Sequence, residues 1–174
     1  LNEVVKERPD DAFGVLCRLL KKKAEKPVIE RLVGREVLDS RGNPTVETDV
    51  YVTYLGEEEF AGRSSAPSGA STGSNEAREL RDKDSPRYNG KGTATAAANV
   101  TNVLGPALKG LPLDNLKALD DKICETDGTE LKEKVGGNAC TATSFALAEA
   151  GAHVEEIELF QYLARQYWGA DKIP

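Results

Sequence analysis

Apolar and polar positions change their spacing twice along this chain. Near the N-terminus Phe13, Leu16, Cys17 and Leu20 fall at i, i+3, i+4 and i+7, the spacing of one helical face. Asp10 and Asp11 precede the stripe, where short acidic side chains cap a helix. Lys21, Lys22 and Lys23 follow it, where cations suit the carbonyl end. Asn2 to Arg8 reads as the end of an earlier helix, halted by Pro9, and Lys26-Pro27 marks a boundary.

From Val28 the period becomes two. Val46, Thr48, Val50 and Val52 alternate with Glu47, Asp49, Tyr51 and Thr53, which predicts a half-buried strand. Ile29 to Leu38 and Phe60 to Ala66 are its neighbours, with Gly56 and Glu57 to Glu59 as a turn, giving a three-stranded antiparallel meander. After Thr72 the pattern is helical. An alanine-rich stretch from Thr93 to Leu108 breaks near Gly105-Pro106. Leu113, Leu116, Leu119 and Ile123 mark a second helix, Ala139 to Ala150 a third, and Phe160, Leu163, Ala164 and Tyr167 a fourth. Strands first and helices after predict an α+β domain over 28–174, preceded by a short helical extension over 1–27.

Composition narrows the function classes. A net charge of −6 over 174 residues argues against a nucleic-acid surface. No apolar run approaches the ~20 residues of a membrane span, and the charged N-terminus lacks a secretory pattern, so a cytoplasmic protein is expected. Cys17, Cys124 and Cys140 are far apart and odd in number, which predicts buried free thiols. His153, the single histidine, reads as a surface or helix-end residue.

Candidate chemistry concentrates in Pro67-Ser68-Gly69-Ala70-Ser71-Thr72-Gly73. Its glycines and hydroxyls let backbone N–H groups and oxygens approach an anion or a metal-bound phosphate. Composition alone equally describes a flexible linker. Upstream stands Asp39-Ser40-Arg41-Gly42-Asn43-Pro44-Thr45-Val46-Glu47, and downstream come Glu76-Ala77, Arg81-Asp82 and Asp127-Gly128-Thr129.

Taken together, the motifs "DSRGNPTVE" and "PSGASTG", in this order, resemble the N-terminal domain of enolase, the phosphopyruvate hydratase, from about Glu30 to Pro174. The resemblance implies a lid domain for dehydration of 2-phosphoglycerate to phosphoenolpyruvate. It places the base, the acid and the metal carboxylates in a C-terminal barrel absent from this chain. By resemblance Ser71 completes the shell of a second Mg2+ on closure, an oxygen ligand suited to a hard cation. Ser68, Gly69, Ala70 and Thr72 shape the lid. Arg35 matches an arginine that reaches the neighbouring subunit of a homodimer. Arg41 is architectural, in a turn set by Gly42 and Pro44. Glu76, Arg81 and Asp82 match an ion-paired brace on a short helix after the lid.

Two stretches depart from the family pattern. After "DGT" the chain carries Leu131-Lys132-Glu133 and then Val135-Gly136-Gly137-Asn138-Ala139, where Gly137 is expected to loosen a helix start. The extension Asn2 to Leu20 resembles half of the two-helix dimerisation/docking motif of kinase regulatory subunits and ciliary proteins. That resemblance implies docking through Phe13, Leu16 and Leu20 to a scaffold such as an axoneme. Two functions follow: the lid domain of an enzyme, or an enolase-like module anchored through its N-terminal helices.

Overall fold

The structure is a computed structural model that describes residues 11–24, 26–67 and 73–169. Helix α1, Ala12–Ala24, comes first, and its N-terminus is capped by Asp11, whose Oδ1 accepts from the Gly14 N–H at 2.9 Å. Three strands follow: β1, Val28–Leu38; β2, Pro44–Tyr54; and β3, Glu57–Ser65. They form one antiparallel sheet in the order β1-β2-β3, as the alternation predicts. The register sets Leu32 opposite Val50, Arg35 opposite Glu47, and Asp49 opposite Arg63. Leu55 and Gly56 take left-handed backbone angles and turn β2 into β3.

Alternation sorts the two faces of the sheet. Val46, Thr48, Val50 and Val52 are buried against helices. Glu47, Asp49 and Tyr51 face the other way, with Arg31, Arg35 and Arg63.

The first helix after the sheet begins later than the sequence pattern suggests. Residues 73–86 hold no helix, which corrects both the helical reading after Thr72 and the short helix expected at Glu76 to Asp82. The backbone there is held from outside instead: the Arg78 N–H donates to the Leu131 carbonyl, and the Gly137 N–H to the Arg78 carbonyl, both at 2.7 Å. A 3₁₀ turn at Arg87–Gly90 follows, then α2, Ala94–Asn99; a π turn, Val100–Leu104; and α3, Gly105–Leu108. The expected break at Gly105-Pro106 is a widened turn within one helical rod. Pro106 has no N–H to offer the preceding turn, and the Gly105 N–H reaches back to the Val100 carbonyl.

The remaining helices are α4, Leu116–Asp127; α5, Gly137–Glu155; and α6, Leu159–Trp168. The Asn115 side chain accepts from the Ala118 N–H at 3.0 Å to start α4, and Gly128 ends it in a left-handed conformation. Central α5 packs on β3 and β2. Its Ala142, Ala146 and Ala150 are fully buried, and Gly62 of β3 lies beneath them. A Cβ on Gly62 would stand 2.5 Å from the Ala146 carbonyl oxygen, so only glycine admits this approach. The Thr48 and Thr143 hydroxyls meet 3.3 Å apart across the same interface.

In α6 the buried face differs from the expected stripe. Ala164 is buried as expected, but Phe160 and Tyr167 are both half exposed and Tyr162, outside the stripe, is buried. Tyr162 wins because its hydroxyl, at the inner end of a large ring, donates to the Leu113 carbonyl at 3.3 Å. Burial pushes that hydroxyl's pKa well up. The cysteines also differ: Cys140 is buried, with its thiol pushed up to about 12 by burial, but Cys17 and Cys124 are exposed. His153 sits exposed in the last turn of α5, where the sequence puts it. Among the described residues, no helix is long and apolar enough to cross a membrane.

Candidate functional site

Residues 68–72, the middle of the candidate lid, lie outside the described residues. What the structure shows is how the chain enters and leaves them. On the entry side the Ala66 N–H donates to the Val46 carbonyl at 2.9 Å, and the Thr45 hydroxyl donates to the Ala66 carbonyl at 2.7 Å. Both hold the end of β3 against the start of β2. On the exit side Glu76 Oε2 accepts from the Gly73 N–H at 2.8 Å. The entry is thus tied to β2, and the exit begins with a local turn.

Beside the entry lies the turn Asp39–Asn43. The Asp39 N–H donates to the Asn43 carbonyl at 2.8 Å, and Asp39 Oδ1 accepts the N–H groups of Arg41 and Asn43, each at 2.8 Å. Gly42, at φ 76°, supplies the left-handed residue this turn requires. Those backbone donors hold the Asp39 carboxyl below its usual range. Asp39 Oδ2 is buried without a hydrogen-bond partner among the described residues. Asp39 lines an open cleft of about 330 Å³ together with Ser40, Arg41, Ser65 and Pro67. The Arg41 backbone N–H is part of this turn.

The segment after residues 68–72 is braced as a strap. Arg81 donates to the Pro44 carbonyl at 2.6 Å, to the Lys91 carbonyl at 2.8 Å and to Glu79 Oε2 at 2.6 Å. Asp82 accepts the N–H groups of Ala94 and Thr95 at the start of α2. Burial would raise its carboxyl, but these bonds and the Thr95 side chain outweigh it and the pKa falls. Asn138 matches both edges of Leu80, accepting its N–H at 3.1 Å and donating to its carbonyl at 3.2 Å.

Gly137 admits a close approach at the start of α5. A Cβ there would stand 2.9 Å from Ala77 Cβ, so the glycine lets the strap lie directly on α5. The altered residues near it are absorbed in the same way. Leu131 is half-buried and offers its carbonyl to Arg78, and Lys132 takes the left-handed turn conformation while its Nζ donates to the Thr129 carbonyl.

Beneath them Asp127 ties the "DGT" segment together. It is fully buried and accepts from the Thr129 N–H and hydroxyl, the Lys134 N–H at 3.1 Å and the Val135 N–H at 2.7 Å. Burial would raise its pKa, but those donors more than offset it and the carboxyl stays low.

On the outer sheet face Arg35 donates to Glu47 at 3.0 Å and pairs with Asp49 at 2.6 Å. Arg63 grips the same Asp49 with two bonds, at 2.6 and 3.1 Å. Arg31 stacks on Tyr51 at 3.5 Å. Asp49 is desolvated by this cover, yet the two guanidiniums hold its pKa down. Within this chain Arg35 is therefore a partner of Glu47 and Asp49.

Among the described residues no group of three or more His, Cys, Asp or Glu could hold a metal ion. Ser71, the one ligand the resemblance implies, lies outside them. The described residues by themselves therefore do not fit a magnesium centre.

The family model for the enolase N-terminal domain matches residues 29–163. The chain belongs to that family. Enolase B of Dictyostelium discoideum is 47% identical over 137 residues, which cover 79% of this chain and 30% of that relative. The chain thus spans under a third of the length of this curated enolase. The family match begins after the N-terminal extension, and neither comparison supports the ciliary docking motif.

Several supporting residues escaped the sequence reading: Thr45, Glu36 and Asn138. Glu36 accepts the Thr93 N–H at 2.5 Å from across the fold and pairs with Arg87. None of these contacts leaves a local signal, because each partner lies tens of residues away in sequence.

Proposed function

We propose that this domain supplies the lid of a phosphopyruvate hydratase, which dehydrates 2-phosphoglycerate to phosphoenolpyruvate. One observation carries the reading. A hydroxyl- and glycine-rich segment leaves the sheet at Ala66, which Thr45 ties to β2, and is followed by a local turn at Gly73–Glu76, in a chain of the enolase N-terminal domain family. A tied entry with small residues after it suits a loop that closes over a bound substrate and excludes water.

In this reading Ser71 offers its oxygens at the closed site. Ser68, Gly69, Ala70 and Thr72 give the loop its short side chains. Magnesium, when bound, neutralises charge that builds on the substrate as a proton leaves the carbon beside the carboxylate. The residues of this chain position and shield; the family resemblance assigns the base and the carboxylate ligands to a part outside it. Arg35 and Glu47 lie on the open sheet face, where contact with a second subunit would be made.

The purified 174-residue chain should therefore show no turnover of 2-phosphoglycerate with magnesium present. Turnover clearly above a protein-free control would overturn this division of labour.

A further inference from the structure

We propose that Thr45 is a positioning residue for the dehydration, its hydroxyl setting the direction in which the chain leaves the sheet toward residues 68–72. The inference rests on the lid reading and adds to it the side chain that aims the segment. The Thr45 hydroxyl donates to the Ala66 carbonyl at 2.7 Å, and both residues are buried. The Ala66 N–H is held separately by the Val46 carbonyl at 2.9 Å. Thr45 thus grips Ala66 on its outgoing side, after the last ladder bond.

That grip acts on the chain that follows. The Ala66–Pro67 peptide is planar, so a fixed carbonyl fixes the whole plane. The proline ring sets φ of Pro67, and a residue before proline is confined to extended angles. The first backbone torsion these constraints leave open is ψ of Pro67. A tilt of the Ala66 carbonyl is therefore carried into every residue from Ser68 onward.

Thr45 is itself held in place. Thr93, fully buried just before α2, donates its hydroxyl to the Thr45 carbonyl at 3.1 Å. Glu36 accepts the Thr93 N–H at 2.5 Å and pairs with Arg87. A line of contacts thus runs from Arg87 through Glu36, Thr93 and Thr45 to Ala66. Valine keeps the shape of threonine but would leave the buried Ala66 carbonyl without this donor. Thr48, three residues further along β2, is equally buried, and its hydroxyl meets that of Thr143 on α5 instead. It supplies the comparison for a buried hydroxyl lost away from the entry.

Two measurements test the role. In the 174-residue chain the Ala66 amide should exchange with solvent faster in Thr45→Val than in Thr48→Val. With residues 28–163 in place of the matched segment of Dictyostelium discoideum Enolase B, Thr45→Val should lower kcat about tenfold to a hundredfold, the scale of a misplacement of about 1 Å. The fall in kcat should exceed any rise in KM, because closure follows binding. Thr45→Ser, which keeps the hydroxyl, should recover most of kcat. Thr48→Val should lower the melting temperature without this loss of kcat. An Ala66 amide indifferent to Thr45→Val, equal losses of kcat in Thr45→Val and Thr48→Val, or no recovery with serine would each overturn the proposal. Were Thr45→Val not to fold, Thr93→Val decides, and an unchanged kcat there overturns it. Ser71→Ala separates this inference from the reading beneath it. If Ser71→Ala lowers kcat and Thr45→Val does not, the lid reading stands and the role of Thr45 falls. If neither lowers kcat, both fall.

Discussion

Arg81 donates to the Pro44 carbonyl at 2.6 Å, fastening the strap that follows residues 68–72 to the start of β2. Its side chain is largely buried and reaches the Lys91 carbonyl too, so one guanidinium fixes three segments. A planar fork with several donors suits this position better than an ammonium.

Arg81→Ala should cost about 2 kcal/mol, the range for a hydrogen-bonded charged group. Arg81→Lys should recover only part of that loss. Urea unfolding checks both: the midpoint should fall with the slope unchanged. An unshifted midpoint would show that the strap is held without Arg81.

Stability should be lost in acid. Asp39, Asp49, Asp82 and Asp127 all carry depressed pKa values. Each contributes stability that is fully present above the unfolded aspartate pKa of about 3.9 and is lost as pH falls through the folded value. Melting temperature should be nearly flat from neutral pH to about pH 5 and drop below about pH 4. Asp127→Asn turns an amide toward backbone donors, so it should cost about 1–3 kcal/mol at neutral pH and flatten the acid limb. An acid limb identical in the variant would remove Asp127 from this role.

Gly62→Ala tests the sheet–helix approach. A Cβ 2.5 Å from the Ala146 carbonyl must push α5 off β3, which should cost about 1–3 kcal/mol. Thermal melts of the variant should show it, and an unchanged melting temperature would mean that the two elements are less closely seated.

The strands were legible because burial on one face leaves a strict alternation, as at Val46 to Thr53. The helical segments were legible where apolar residues repeat, as at Leu116, Leu119 and Ile123. Segment 73–86 was not, because its backbone partners lie at Leu131, Gly92 and Asn138, and no local pattern encodes them. In α6 the pattern offered two faces of similar polarity, and the choice fell to one tyrosine hydroxyl that finds a carbonyl in α4's lead-in loop. The candidate site was legible as motifs. Its anchors were not, since Thr45 and Glu76 act through single contacts to main-chain atoms.

The lid role is tested most directly by transplantation. Residues 28–163 can replace the matched segment of Dictyostelium discoideum Enolase B, and 2-phosphoglycerate dehydration can be measured at saturating magnesium with and without Ser71→Ala. The chimera should turn over substrate, and Ser71→Ala should lower kcat by on the order of 10²–10³ with melting temperature unchanged, the usual effect of losing one transition-state contact. A folded chimera without activity, or one whose kcat ignores Ser71→Ala, would contradict the assignment.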